Sequence, residues 1–128
     1  MIITAELLRS KKACKAQVAL FEQRFPEGMP VTEDICLSVA TLFSARWAAL
    51  NLLPATARDA YFAAVKPALD AYNAIEAAAL DAYSAAALDA YFTGVGPTWD
   101  TFVAAVRPAQ DAFAAAKAVA FARAALSE

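Results

Sequence analysis

Histidine is missing from this chain altogether, and its 128 residues include only two cysteines and three glycines. Without an imidazole to take a proton, Ser–His and Cys–His nucleophile pairs are excluded. Cys14 and Cys36 lack the paired spacing of a metal site. They read as small buried apolar residues in a reducing cytoplasm, as one disulfide, or as a reactive thiol. Scarce glycine and the lack of a serine-rich tract argue against disorder. No apolar run approaches the ~18 residues of a membrane helix, because aspartates interrupt the second half throughout. Met1–Lys15 has Arg and Lys but no apolar core followed by small residues, so a secretory signal is not expected and the cytoplasm is the expected location. Charge is also modest. Residues 1–53 carry six Lys/Arg against five acids, and residues 54–128 carry five against eight, for a net charge of −2. Neither half is charged enough to name nucleic acid or anionic lipid as a partner.

What the chain does have is alanine, 36 residues of it, with 28 between Ala55 and Ala125. Alanine is the best helix former and adds little apolar area. Through this stretch runs a repeated tripeptide, Asp-Ala-Tyr or a close variant, at Asp59–Tyr61, Asp70–Tyr72, Asp81–Tyr83, Asp89–Tyr91, Asp100–Phe102 and Asp111–Phe113. The steps between its aspartates are 11, 11, 8, 11 and 11. Eleven residues make three helical turns at about 3.67 residues per turn, so each residue type returns to nearly the same side of a helix. The aromatic, the residue after it, the Val site and the Leu/Trp site share an arc of roughly 100°. In the first unit these are Tyr61, Phe62, Val65 and Leu69; in the fourth they are Tyr91, Phe92, Val95 and Trp99. The third unit, Asp81 to Leu88, lacks three residues, which turns the later stripe by about 65°.

These patterns predict an all-α protein: a small helical head over 1–53, then an alanine-rich antiparallel helical hairpin over 54–128, built on the eleven-residue repeat. One helix is expected from a Thr4 cap to about Arg24, and a break follows at Pro26–Pro30. A second start stands at Thr32-Glu33-Asp34, where acids favour the first turn. Ser44 either caps a separate short helix or lies in one bent helix. In the hairpin, helices over 55–92 and 97–126 are joined by a turn near 94–97, where two glycines and a proline cluster. Pro67 and Pro108 either kink these helices, curving them with the aromatic faces concave, or open new ones as first-turn residues.

The aspartates are the obvious carboxylate set, but acid–base pairs must lie within ~5–10 Å. Residues eleven apart on a helix are ~16 Å apart. A solvated stripe with local partners, Lys66 to Asp70 and Arg107 to Asp111, fits better than catalysis or DNA mimicry. Arg9, Lys11, Lys12 and Lys15 spread around their helix and read as a solvated face. An Asp-led repeat is also unlike the Lys/Arg-rich faces of helices that lie on lipid. No catalytic residue, cofactor or metal ligand is therefore expected. The candidate contact residues are Tyr61, Tyr72, Tyr83, Tyr91, Trp99, Phe102 and Phe113. They form either the core between two helices or a surface for a partner, because Tyr and Trp favour interfaces.

Three strings carry a resemblance: Ala13-Cys14-Lys15-Ala16-Gln17-Val18-Ala19-Leu20-Phe21, Val31-Thr32-Glu33-Asp34-Ile35-Cys36, and Phe43-Ser44-Ala45-Arg46-Trp47-Ala48-Ala49 with Leu52-Leu53. The head resembles a group of uncharacterised small proteins from bacteria and their phages. In that group a similar head precedes repeats like Ala-Pro-Ala-x-x-x-Tyr, which Pro67-Ala68-Leu69-Asp70-Ala71-Tyr72 matches in part. The chain departs from the group at Ser44, where an Asp is expected. The resemblance implies no activity; its phage setting points toward a small inhibitor of a host defence system, such as an anti-CRISPR protein. The expected function is non-catalytic binding of a protein, either a host protein or a second copy. A self-associating structural bundle is the alternative, and weak nucleic-acid binding stands third.

Overall fold

The computed structural model describes residues 1–94 and 99–127. The fold is all-α, with one two-stranded sheet that the sequence patterns did not announce. The chain divides into two compact units, one formed by Met1–Val65 with Ala114–Glu128 and the other by Lys66–Phe113. The first unit takes the start of one long helix and the end of the other.

In the first unit, β1 (Ile2–Ile3) pairs antiparallel with β2 (Met29–Pro30), Ile2 opposite Pro30 and Ile3 opposite Met29. The single helix expected from Thr4 to Arg24 is instead two, α1 (Ala5–Ser10) and α2 (Lys15–Arg24). The Thr4 cap is as expected, its Oγ1 accepting from the Leu7 N–H at 3.1 Å. The break comes from a left-handed residue, Lys12, at φ 59°. Around it the Lys12 N–H reaches the Arg9 carbonyl and the Ala13 N–H reaches the Leu8 carbonyl, both at 3.0 Å. These two bonds form the Schellman pattern that closes a helix. Glycine usually holds the left-handed position, and a lysine there gives no sequence signal of a stop.

Gly28 makes the return to β2 possible. Its φ is +96°, and a Cβ there would meet Ile2 Cγ2 at 3.0 Å and the Ile3 carbonyl oxygen at 3.2 Å. Both the conformation and the close strand oppose any side chain. Gly28→Ala is expected to destabilise the first unit by about 2 kcal/mol, read from urea denaturation.

Thr32 caps α3 (Glu33–Ser38) through its Oγ1, with Glu33 and Asp34 in the first turn. Ser44 caps α4 (Ala45–Leu52), accepting from the Trp47 N–H at 3.1 Å. The stretch is therefore two helices, and Ser44 does the capping work that an Asp would do. Phe21, Val39, Leu53, Tyr61, Val65 and Phe121 are among the buried residues of this unit, with Ala49, Ala118, Ala122 and Ala124 between them. Phe21 meets Phe43 edge-on with ring centroids 5.9 Å apart. The Arg123 Nε donates to Glu33 Oε1 at 2.5 Å, tying the C-terminal helix to α3, while Arg9 pairs with Glu22 between α1 and α2.

Two long helices complete the chain, α5 (Ala55–Thr93) and α6 (Trp99–Leu126). Both run unbroken through their prolines, so Pro67 and Pro108 do not open new helices. Both prolines are exposed. Gly94, at φ 75°, ends α5 in the left-handed conformation usual after a helix, its N–H bonded to the Ala90 carbonyl at 2.8 Å. The rest of the expected turn, 95–97, lies outside the described residues, as does the Pro97 start expected for α6.

In the second unit the repeat sets the pairing. Tyr72 stacks on Phe113, with centroids 5.4 Å apart and planes 24° apart. Tyr83, eleven residues on, meets Phe102, eleven residues back, at 6.2 Å. One step forward on α5 answers one step back on α6, so the two segments run antiparallel with matched rungs. Val106 and Ala109 are buried in this unit. Each aromatic pair contributes about 0.5–1.5 kcal/mol beyond the area it buries. The Tyr72 hydroxyl donates to Glu76 Oε2 at 2.6 Å, one turn along the same helix. Lys66 and Asp70 pair at 3.2 Å but both are well exposed, so this bond contributes little. The Arg107–Asp111 pair expected alongside it does not form among the described residues.

Candidate functional site

The seven aromatic candidates separate into three environments. Tyr61 is core: it is 1% exposed, the largest fully buried side chain of the first unit, and closed to any partner. Its hydroxyl has no hydrogen-bond partner among the described residues. Loss of solvent raises the tyrosine's pKa, and the Arg46 charge opposes that shift. Tyr72, Tyr83, Phe102 and Phe113 are half-buried and hold the two helices of the second unit together. Hydrogen bonding to Glu76 is the main reason that the Tyr72 phenol ionises later than usual, and a bond to Gln110 works against it.

Tyr91 and Trp99 are different. Tyr91 is 83% exposed and Trp99 is 56% exposed. The three missing residues of the third repeat explain Tyr91. Eleven residues past Tyr83 the beat arrives at Gly94, while Tyr91 falls eleven past Leu80 and twenty-two past Leu69, both themselves exposed. α5 does not unwind to compensate, so Tyr91 leaves the packed side with its helix. Phe92 and Leu88 stand out with it, at 78% and 66% exposure. Tyr91 and Phe92 meet edge-on with centroids 5.3 Å apart. Trp99 is held from behind, stacked on Phe102 at 4.6 Å and edge-on to Tyr83 at 5.5 Å.

The end of the hairpin where α5 finishes and α6 begins therefore presents Leu88, Tyr91, Phe92 and Trp99 to solvent. Asp89 and Asp100 flank them, and no Lys or Arg occurs between Lys66 and Arg107. This end is thus an apolar patch with acidic neighbours. Leu88 and Phe92 were not among the sequence candidates. The eight-residue step was the signal for both, because it rotates everything after it.

A second feature, an open cavity in the first unit, had no sequence signal. Its volume is about 390 Å³, and its walls include Cys14, Phe21, Phe43, Trp47, Leu52 and Phe121. No Lys, Arg, Asp or Glu lines it. Both cysteines reach it as free thiols, Cys14 exposed and Cys36 buried. The buried apolar reading thus holds for Cys36 and fails for Cys14. Cys14 precedes the first turn of α2, where the Gln17 and Ala16 N–H groups favour the thiolate and lower its pKa. Burial raises that of Cys36. Near neutral pH the thiolate fraction is therefore larger at Cys14. Iodoacetamide is expected to modify Cys14 first and Cys36 only after unfolding, as read by mass spectrometry.

Among the described residues, no helix is long and apolar enough to cross a membrane and no three metal-ligating side chains gather. No family model, curated protein or solved structure matches the chain.

Proposed function

We propose that this protein is a non-catalytic protein-binding module whose contact surface is the aromatic end of its hairpin. The observation that carries this reading is the contrast along one repeat: Tyr72 and Tyr83 pack, while Tyr91, Phe92 and Trp99 stand in solvent. Keeping such residues exposed on a small chain has an aggregation cost, and contiguous exposed apolar groups usually mark a contact site. Aromatic side chains also carry most of the binding energy at protein interfaces. The resemblance of the head and first repeats to bacterial and phage proteins extends the reading to a cytoplasmic, phage-encoded inhibitor of a host defence complex such as CRISPR.

The test is capture of a partner from bacterial lysate by tagged wild-type protein and by a Tyr91→Ser, Phe92→Ser variant. One stoichiometric protein held by the first and lost by the second supports the reading. Equal capture by both moves the site elsewhere. Tyr72 and Tyr83 are poor probes for this purpose, because changing them loosens the hairpin itself.

A further inference from the structure

We propose that the aromatic end of one copy's hairpin inserts into the open apolar cavity in the first unit of a second copy. This rests on the reading of that end as a contact surface and names its partner. Three observations converge. The first is size: an apolar cavity of about 150 Å³ holds one benzene ring, so 390 Å³ has room for about two aromatic rings. The hairpin end offers Tyr91 and Phe92 together, both nearly bare of contacts from their own chain. The second is chemistry: a cavity walled by Phe21, Phe43, Trp47 and Phe121, with no charged lining residue, suits aromatic side chains and rejects a charged ligand.

The third is charge. Lys12 and Lys15 flank the lining residues Ala13 and Cys14, and Arg46 sits between the lining residues Ala45 and Trp47. Lys11 adds a fourth positive charge beside them. Of the acids, Glu22 and Glu33 are paired with Arg9 and Arg123, while Glu6, Glu27 and Asp34 each lie two residues before a buried lining residue, Leu8, Met29 and Cys36, away in sequence from the exposed Cys14. The hairpin end carries Asp89 and Asp100 and no basic residue. Lysines beside the exposed Cys14 edge of an apolar cavity complement an apolar knob flanked by acids, which favours encounter and fixes orientation. The two surfaces differ, so the contact is head-to-tail, and each copy keeps one free knob and one free cavity. Mass should then rise progressively with concentration, unless the copies close into a ring.

The experiment is sedimentation equilibrium of wild type and two variants that each lose one surface. The knob variant is Tyr91→Ser with Phe92→Ser. The rim variant is Lys12→Glu with Lys15→Glu, which changes exposed side chains only. Each alone is expected to associate about thirtyfold more weakly, the knob variant because interface anchors are removed and the rim variant because its glutamates would face Asp89 and Asp100. Mixed one to one, they are expected to form a dimer that grows no further, because the knob variant offers an intact cavity and the rim variant an intact knob. Asp89→Lys with Asp100→Lys should restore association with the rim variant. Circular dichroism checks that every variant keeps its helix content.

A wild type that stays monomeric at about millimolar concentration overturns the proposal. So does association that survives both variants, or a mixture that fails to form the dimer. If the monomer, with Trp99→Phe leaving Trp47 as the one tryptophan, instead shows fluorescence that responds to the neutral dye N-phenyl-1-naphthylamine, the cavity is a small-molecule site. A monomer whose knob variant still loses a captured host protein sinks this inference and leaves the binding reading standing. A knob variant that changes neither association nor capture sinks both.

Discussion

Tyr61→Ala is expected to cost the first unit about 3–5 kcal/mol, while Tyr61→Phe is expected to be neutral or to stabilise it by about 1 kcal/mol. The first value follows from burial: Tyr61 is almost wholly enclosed, between Ala57 and Val65 on its own helix face. Its removal opens a cavity that neighbouring alanines are too small to fill. Against a total stability of about 5–15 kcal/mol, such a loss unfolds much of the population. The second value follows from the hydroxyl, which is buried and accepts or donates no hydrogen bond among the described residues. Phenylalanine keeps the ring and removes that unsatisfied group. Urea denaturation followed by circular dichroism separates the two substitutions. A large loss in Tyr61→Phe would mean that the hydroxyl has a partner.

The second large effect is on binding. Tyr91→Ser with Phe92→Ser is expected to weaken capture of a partner by about thirtyfold or more, the scale reached when aromatic anchors are removed. The same pair should leave the stability of the isolated chain within about 0.5 kcal/mol, because neither residue is packed. Binding and stability thus respond in opposite places along one repeat. Titration of the purified partner by calorimetry reads the first quantity and denaturant unfolding reads the second.

Much of this architecture was legible in the spacing of residues. The eleven-residue beat set the helical phase of Tyr72, Tyr83, Phe102 and Phe113, and those four meet across the second unit. The caps at Thr4 and Thr32 were readable because a hydroxyl before a helix accepts from the third residue on, whereas Ser44 stood between a cap and a position inside one bent helix until the structure showed the cap. The break after α1 was not readable, because a lysine holds the left-handed position that glycine usually marks. The sheet was not readable either. Two strands of two residues each have no alternation to detect, and their pairing depends on Gly28, far along the chain from Ile2.

The candidate site was legible in part. The shortened third repeat foretold a rotated stripe, and Tyr91 is where that rotation emerges. The repeat alone could not show that Tyr61 would be sealed in the first unit, since its burial depends on tertiary packing, which also brings the Arg46 charge of α4 to bear on it. The cavity is equally a product of tertiary packing, drawing Ile3, Phe43 and Phe121 from distant stretches of sequence.

The most direct test compares thermal unfolding of four single variants, Tyr72→Ser, Tyr83→Ser, Tyr91→Ser and Phe92→Ser, at a dilution where the chain is monomeric. If the repeat packs its first aromatics and expels its last, the melting temperature falls by several degrees for the changes at Tyr72 and Tyr83. It stays at the wild-type value for those at Tyr91 and Phe92. An equal fall for all four would place Tyr91 and Phe92 in the core and contradict the reading of this end as a contact surface.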